Sequence, residues 1–504
     1  MWFSGKLPRR EVAKRRVWAW VRWASNALMV VAMMGLGSAS FVACGDDDSG
    51  GGDAGENTNS LVDGGVQDGE VDGGDDELWY EPDPQGRVTQ GSLLGSDPTM
   101  VVVTSAALAP AWERYAGLRS VQGVHTEVVA LEDALAGQSG VDDAEKLQAY
   151  LRDRVTQGGL RFVLLGGDAE VVPFRRVENE VTMATQETYT SNGPSMLYYA
   201  NLDATWDGDG DGIFGEMGDD MTLEDSRQSQ LAPGRVPASH PEEVEAYTAK
   251  VEVYAEALSG RTVHPLLVSD IAATVPIVGD IDAAEAIEVT FEEFFPQNYK
   301  QNVRKLYATE GAASTYGGEV ITDPLFDEAL DEGYSLVFHQ GHGSHGWFTN
   351  TIPTSFVEAL DNEQPSVFLS CACLAGNYAD VATSMLCEDW SPQSVDDDSA
   401  GEIYIVGEYG GVAYLGNTGT GLGPVGGAQF MHAMMEGVFM EGIRALGEAV
   451  NYARGRAREI EFQVSVMPDM MDDDSEWWTQ HVVTLLGDPS LELQVGVPEL
   501  LTLD

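Results

Sequence analysis

The chain has 504 residues, 43% of them hydrophobic, and 27 Lys+Arg against 82 Asp+Glu give it a net charge of −55. That length and apolar content allow roughly two to four packed units with a sizeable core. A surface this acidic repels phosphates, which excludes nucleic acid as a ligand. Four cysteines are too few for a disulfide-built scaffold, so each raises its own chemical question.

The charge is unevenly spread. Residues 1–44 carry seven basic side chains and one acid, Glu11, ahead of an apolar run from Ala27 to Gly37. This is the pattern of an export signal, and the run is short against the about 20 residues that span a bilayer. Phe41-Val42-Ala43-Cys44 resembles a bacterial lipobox, which implies lipidation of Cys44 and a mature protein anchored to the cell envelope, at the outer membrane or cell surface. Residues 45–86 hold fourteen acids and no Lys or Arg, a composition that cannot bury enough surface to order itself and reads as a solvated tether. The expected organisation is a signal over 1–44, a tether over 45–86, a first α/β unit over 87–260 and a second over 261–504.

From Met100 the pattern becomes α/β. Continuous apolar runs predict buried strands at 100–104, 126–130 and 160–166, with helices near 110–120 and 142–157 between them. After a helical run at 241–257 the theme repeats, with strands expected at 264–269, 334–339, 365–370, 402–407 and 411–415. Helices are expected near 281–295, 323–331, 424–436 and 440–461. Such alternation implies mostly parallel sheets flanked by helices in two α/β subdomains.

Within the first unit, Asp207-Gly208-Asp209-Gly210-Asp211-Gly212-Ile213 sets three acids at positions 1, 3 and 5 of an EF-hand-like loop, with Gly212 at the sharp turn. Three carboxylates so close repel one another unless a cation lies among them, so Ca²⁺ is expected on Asp207, Asp209, Asp211 and the backbone of Ile213. Glu216, Asp219 or Asp220 would supply the remaining oxygen. The competing reading is one more acidic linker, against which stand the apolar flanks Tyr198-Tyr199 and Ile213-Phe214.

In the second unit an apolar strand runs into His339-Gln340-Gly341-His342-Gly343-Ser344-His345, and another runs into Ser370-Cys371-Ala372-Cys373-Leu374-Ala375-Gly376. In a parallel sheet both loops leave the carboxyl ends of strands, where open α/β sheets hold their ligands. A Cys nucleophile and a His acid/base can therefore meet there. Inert packing of the cysteines and a metal cluster of His339, His342 and His345 are the alternatives, the second weakened by the glycines that prevent a helix.

These two loops resemble those of gingipain-type cysteine peptidases, family C25, and so do Val163-Leu164-Leu165-Gly166-Gly167-Asp168, Gly234-Arg235-Val236-Pro237 and Leu486-Gly487-Asp488-Pro489-Ser490-Leu491, all in the same order. The resemblance covers roughly residues 98–495 and implies a caspase-like fold. It implies His342 as acid/base, Cys373 rather than Cys371 as nucleophile, and the backbone N–H groups of Gly343 and Cys373 as oxyanion hole. Asp270 would orient His342. Asp282 would be a pocket acid selecting Arg or Lys at P1, against a plain reading as an acid at a helix start. Cys387 reads as a core residue, and His339 and His345 as loop polar groups. No propeptide and no C-terminal immunoglobulin-like domain are expected. The implied activity is cysteine endopeptidase cleavage of protein or peptide substrates. A catalytically silent calcium-stabilised lipoprotein and a transpeptidase of the same fold are its rivals.

Overall fold

The structure, a computed structural model, describes residues 98–182, 188–257, 264–275, 279–349, 352–370, 372–379, 398–465 and 471–493. The signal, the tether and Cys44 lie outside the described residues, as do Cys371, Cys387 and the expected boundary at 258–260. No helix among the described residues is long and apolar enough to cross a membrane.

One sheet of eleven strands runs through both halves. In chain order they are β1 (Met100–Thr104), β2 (Thr126–Ala130), β3 (Phe162–Gly166), β4 (Ala232–Val236), β5 (Pro265–Ser269), β6 (Arg304–Tyr307), β7 (Glu319–Val320), β8 (Leu336–Gln340), β9 (Ser366–Ser370), β10 (Gly411–Asn417) and β11 (Val483–Gly487). Their order across the sheet is β7-β6-β5-β8-β9-β10-β11-β4-β3-β1-β2. Every neighbouring pair is parallel except β10 with β11. Most of these strands are buried along their whole length, as helix-covered parallel strands must be. The two halves are thus one α/β body, joined where β11 pairs with β4 at Leu486 and Arg235.

That junction is held by charge as well as by the ladder. Asp488, directly after β11, is fully buried and pairs with Arg119 Nε at 2.7 Å, and it also accepts from the Tyr115 hydroxyl. Ser490 N–H and Oγ each donate to its other oxygen at 2.7 Å. The Gly-Asp-Pro-Ser motif is therefore a structural lock between the chain's last described strand and its first described helix, Ala109–Val121.

Local signals explain most elements. The helix Asp143–Gln157 starts at Asp142, whose side chain accepts from Glu145 N–H, and buries Ala144, Leu147, Gln148 and Leu151 at helical spacing. The expected strand at 402–407 is instead the helix Ala400–Val406. Ser399 and Glu402 form a reciprocal capping box there, and that local start signal overrides the β-branched, apolar run that follows. A fully buried apolar run carries no period, so its type cannot be read from hydrophobicity alone. The region expected as one helix at 281–295 begins as a hairpin, Ile271–Val275 with Gly279–Asp282, before the helix Ala284–Phe294.

Candidate active site

β8 and β9 pair in parallel with His339 opposite Ser370, so the loops that follow them leave the same edge side by side. They touch. A Cβ built on Gly343 would lie 2.6 Å from Ala372 Cβ and 3.1 Å from the Cys373 carbonyl oxygen, so only glycine lets the loops approach this closely. Among the described residues, neither Gly343 N–H nor Cys373 N–H donates to another backbone group in this turn.

The Cys loop is held from its far side by the end of β10 and the segment after it. Asn417 Nδ2 donates to the Ala372 carbonyl at 3.0 Å, Leu374 N–H donates to the Gly419 carbonyl at 3.0 Å, and Gly376 N–H to the Asn417 carbonyl at 3.2 Å. Leu374 has φ of 58°, the one left-handed non-glycine residue among the described residues, directly after Cys373. A backbone outlier persists only where its surroundings over-determine it. Cys373 is half-buried, and its Sγ accepts from Gly421 N–H at 3.2 Å. Burial pushes the thiol pKa up, and the Gly421 N–H opposes that by favouring the thiolate.

His342 is half-buried and donates Nε2–H to the Ala272 carbonyl at 3.2 Å, which leaves the lone pair of the neutral ring on Nδ1. The structure sets His339 against Asp270, the residue expected to orient His342. Asp270 is 2% exposed and meets Nε2 of His339, at 3.4 Å. The carboxylate also fills the space beneath Gly341, where a Cβ would lie 2.6 Å from its Oδ2. His339, expected as a loop polar group, is a fully buried residue of β8 whose Nδ1 lies 2.9 Å from Ser370 Oγ. Strand alternation points it into the molecule, a detail that the spacing of the three histidines does not reveal.

Asp282 closes the hairpin beside the helix Ala284–Phe294. Its Oδ1 accepts from Ser269 Oγ at 2.5 Å and Ala284 N–H at 2.9 Å, and its Oδ2 from Thr309 N–H at 2.9 Å and Oγ1 at 3.1 Å. Those four bonds fill the acceptor positions of a carboxylate. Asp280, two residues earlier, is exposed and accepts one bond, from Thr274 Oγ1 at 2.7 Å.

The acidic loop folds locally as its spacing requires. Gly212 N–H, Asp211 N–H and Ile213 N–H donate to the side chains of Asp207, Asp209 and Asp211, and Gly210 and Gly212 take φ of 79° and 87°. Carboxylate oxygens of Asp207, Asp209 and Asp220 lie within 4.8 Å of one another, as do those of Asp209, Asp211 and Glu216. Asp220 is 9% exposed, with its oxygens held by the N–H groups of Gly208, Gly215 and Glu216. Hard oxygen donors in this number suit Ca²⁺. Partial desolvation, then the charges of Asp211 and Asp220, push the Glu216 pKa up.

A second acidic group was not legible in the sequence, because it joins distant segments. Asp168 after β3 meets Asp398 and Glu402 at the start of the helix Ala400–Val406, with oxygens within 4.8 Å. Burial first, then neighbouring carboxylates, lift Asp168 to about 7 and Glu402 well above its ordinary range. The same helix anchors both loops of the site: Ala400 N–H donates to the His345 carbonyl and Gly401 N–H to the Ala375 carbonyl, each at 2.8 Å.

A parallel-rich sheet whose adjacent strands deliver a His-Gly loop and a Cys loop to one edge defines the caspase-like class of cysteine peptidases. The sequence profile of peptidase family C25 matches residues 94–494, and the chain belongs to that family. Among solved structures, the Arg-specific cysteine proteinase gingipain R (RgpB) superposes with a TM-score of 0.54 at 17% identity, covering 80% of each chain. A structure described only as a protease gives 0.55 at 16% identity, over 81% of this chain and 80% of its own. An uncharacterised protein of Archaeoglobus fulgidus is 23% identical over 359 residues, 64% of this chain and 75% of that one.

Proposed function

We propose that the chain is a cysteine endopeptidase in which Cys373 is the nucleophile and His342 the acid/base. The observation that carries this reading is the contact of Gly343 with Ala372 and Cys373, which brings the two loops to one point. The Cys373 thiolate attacks the scissile carbonyl, forming a C–S bond, while the charge on the carbonyl oxygen is met by the N–H groups of Gly343 and Cys373. Protonated His342 gives its proton to the leaving amine as the C–N bond breaks. The thioester is then hydrolysed by a water that His342 deprotonates, and the thiolate is regenerated.

A preference for Arg or Lys at P1 belongs to the same reading, since the hairpin that carries Asp280 and Asp282 also holds His342 through Ala272. Asp282 is occupied by protein donors, so Asp280 is the carboxylate free to meet a cation. Ca²⁺ stiffens the 207–220 loop, and the export signal with lipidated Cys44 holds the enzyme at the cell envelope, where protein or peptide substrates reach it.

The test is a peptide panel varied at P1, with reductant and Ca²⁺, using wild type, Cys373→Ala, His342→Ala and Cys371→Ala. Cys373→Ala lowers turnover by about 10⁴-fold while Cys371→Ala keeps it. Asp280→Asn removes the preference for basic P1 and Asp282→Asn costs stability instead. The silent-lipoprotein reading has one observation in its favour, the burial of the thiol against Gly421. Absence of Cys373-dependent cleavage with any peptide, and no alkylation of Cys373 in the folded chain, would select it. Transfer of the acyl group to an added amine would select the transpeptidase.

A further inference from the structure

Three side chains form a continuous polar chain beneath the two loops, although each is nearly inaccessible. Asp270, His339 and Ser370 are 2%, 0% and 3% exposed. Ala372 N–H donates to Ser370 Oγ at 3.0 Å, Ser370 Oγ lies 2.9 Å from His339 Nδ1, and His339 Nε2 lies 3.4 Å from Asp270 Oδ2. Ser370 Oγ accepts the Ala372 amide proton and keeps its O–H and a second lone pair for Nδ1, while Nε2–H of the ring donates to the Asp270 carboxylate.

Burying an imidazole and a hydroxyl costs free energy unless each is hydrogen-bonded, and here each is. The far end of the polar chain meets the Cys loop. Ala372 is the residue before Cys373, and both of its backbone groups are held, the N–H, in the preceding peptide unit, by Ser370 and the C=O by Asn417 Nδ2. That C=O belongs to the peptide unit whose N–H is the Cys373 amide. With Ser370 fixing the backbone on one side of the Ala372 Cα and Asn417 on the other, the Cys373 N–H is aimed and the thiol placed. The near end, Asp270, lies directly under Gly341 of the His loop.

We propose that His339 and Ser370 are positioning residues that transmit the fixed geometry of Asp270 and the His loop to the Cys373 amide. The proposal rests on the reading of Cys373 as nucleophile and gives His339 a task distinct from that of His342.

The test uses the full chain with Ser370→Ala, His339→Leu, His339→Gln and the Ser370→Ala/His339→Leu pair. Ser370→Ala and His339→Leu each lower kcat by about 10- to 100-fold with KM held within about twofold, because a displaced amide weakens the transition state and not substrate binding. His339→Gln recovers most of the rate, since its amide can accept from Ser370 and donate to Asp270. The pair is no slower than the slower single variant, because both break one chain. Additive losses, a change confined to KM, or a Gln variant as slow as the Leu variant would overturn the proposal. Should His339→Leu fail to fold, Ser370→Ala and His339→Gln carry the comparison.

Alkylation of Cys373 in the folded chain, located by peptide mass spectrometry, separates this proposal from the peptidase reading. If Cys373→Ala leaves cleavage unchanged, the nucleophile assignment fails. The positioning chain is then decided by whether Ser370→Ala changes the Cys373 alkylation rate about tenfold or more, and an unchanged rate overturns it.

Discussion

The sheet ends in two glycine-lined crests that differ in what fills them. After β3 in the first half, Gly166 and Gly167 are sealed. A Cβ on Gly166 would sit 2.8 Å from Trp112, and one on Gly167 2.4 Å from Val171. The fully buried Arg235 of β4 donates to the carbonyls of Gly167 at 2.6 Å, Val172 at 3.0 Å and Pro173 at 3.3 Å. After β8 and β9 in the second half, the glycines are as tightly placed, yet the loops leave His342 and Cys373 half-exposed. The same topology thus makes a closed scaffold at one crest and an open edge at the other. The difference lies in whether a long side chain turns back to saturate the loop carbonyls. The crests meet at Tyr378 of the Cys loop, whose ring lies 4.5 Å from the Arg235 guanidinium carbon.

This contrast can be broken by exchanging the roles. Arg235→Met removes the side chain that seals the first crest and leaves three carbonyls without their donor. It should cost about 3–4 kcal/mol of stability in urea unfolding. A loss below about 1 kcal/mol would mean that the first crest is not held by Arg235. Gly343→Ala should cost activity rather than stability. The collision with Ala372 parts the two loops, and kcat should fall about 100-fold with the thermal midpoint within a few degrees of wild type. Full activity in that variant would show that the loops need not touch.

Two smaller effects sharpen the comparison. Chelation of Ca²⁺ should lower the thermal midpoint by about 5 °C, and Asp209→Asn, which belongs to both acidic triads, should abolish that sensitivity. Smallest is a pH effect from Asp168 and Glu402 at the first crest. Their folded-state pKa values are raised, to about 7 for Asp168, so folded protein binds protons that unfolded chain releases. The stabilisation is complete below the ordinary carboxylate pKa of about 4 and is lost as pH rises through about 7. The midpoint should therefore fall by a few degrees between about pH 5.5 and about pH 8.5, and Asp168→Asn should flatten that slope.

Much of this was legible because it is local. β1 and β3 are almost wholly apolar, β8 and β9 carry apolar runs at 336–338 and 367–369, and the acidic loop satisfies its own backbone within a few residues. The order of the Gly-Asp, Gly-Arg-Val, His-Gly, Cys and Gly-Asp-Pro-Ser motifs carried the family resemblance. The helix Ala400–Val406 was misjudged since burial on all sides erases its period, and its capping box was the signal that could have corrected this. That Asp270 meets His339 was not legible, because the spacing does not say whether His339, near the end of β8, or His342, in the loop beyond it, turns toward that carboxylate.

By itself the sequence determined the class of fold, the two loops proposed to bear the chemistry and the spacing of an acidic loop. Each is written in contiguous residues whose periods, glycines and charges act over a few bonds. Only the tertiary structure decided that both halves share one sheet through β11, that Asp270 meets His339, and that Asp168, Asp398 and Glu402 converge. Those outcomes depend on strand register and side-chain direction between segments far apart in the chain, where a shift of one residue reverses which face every side chain takes.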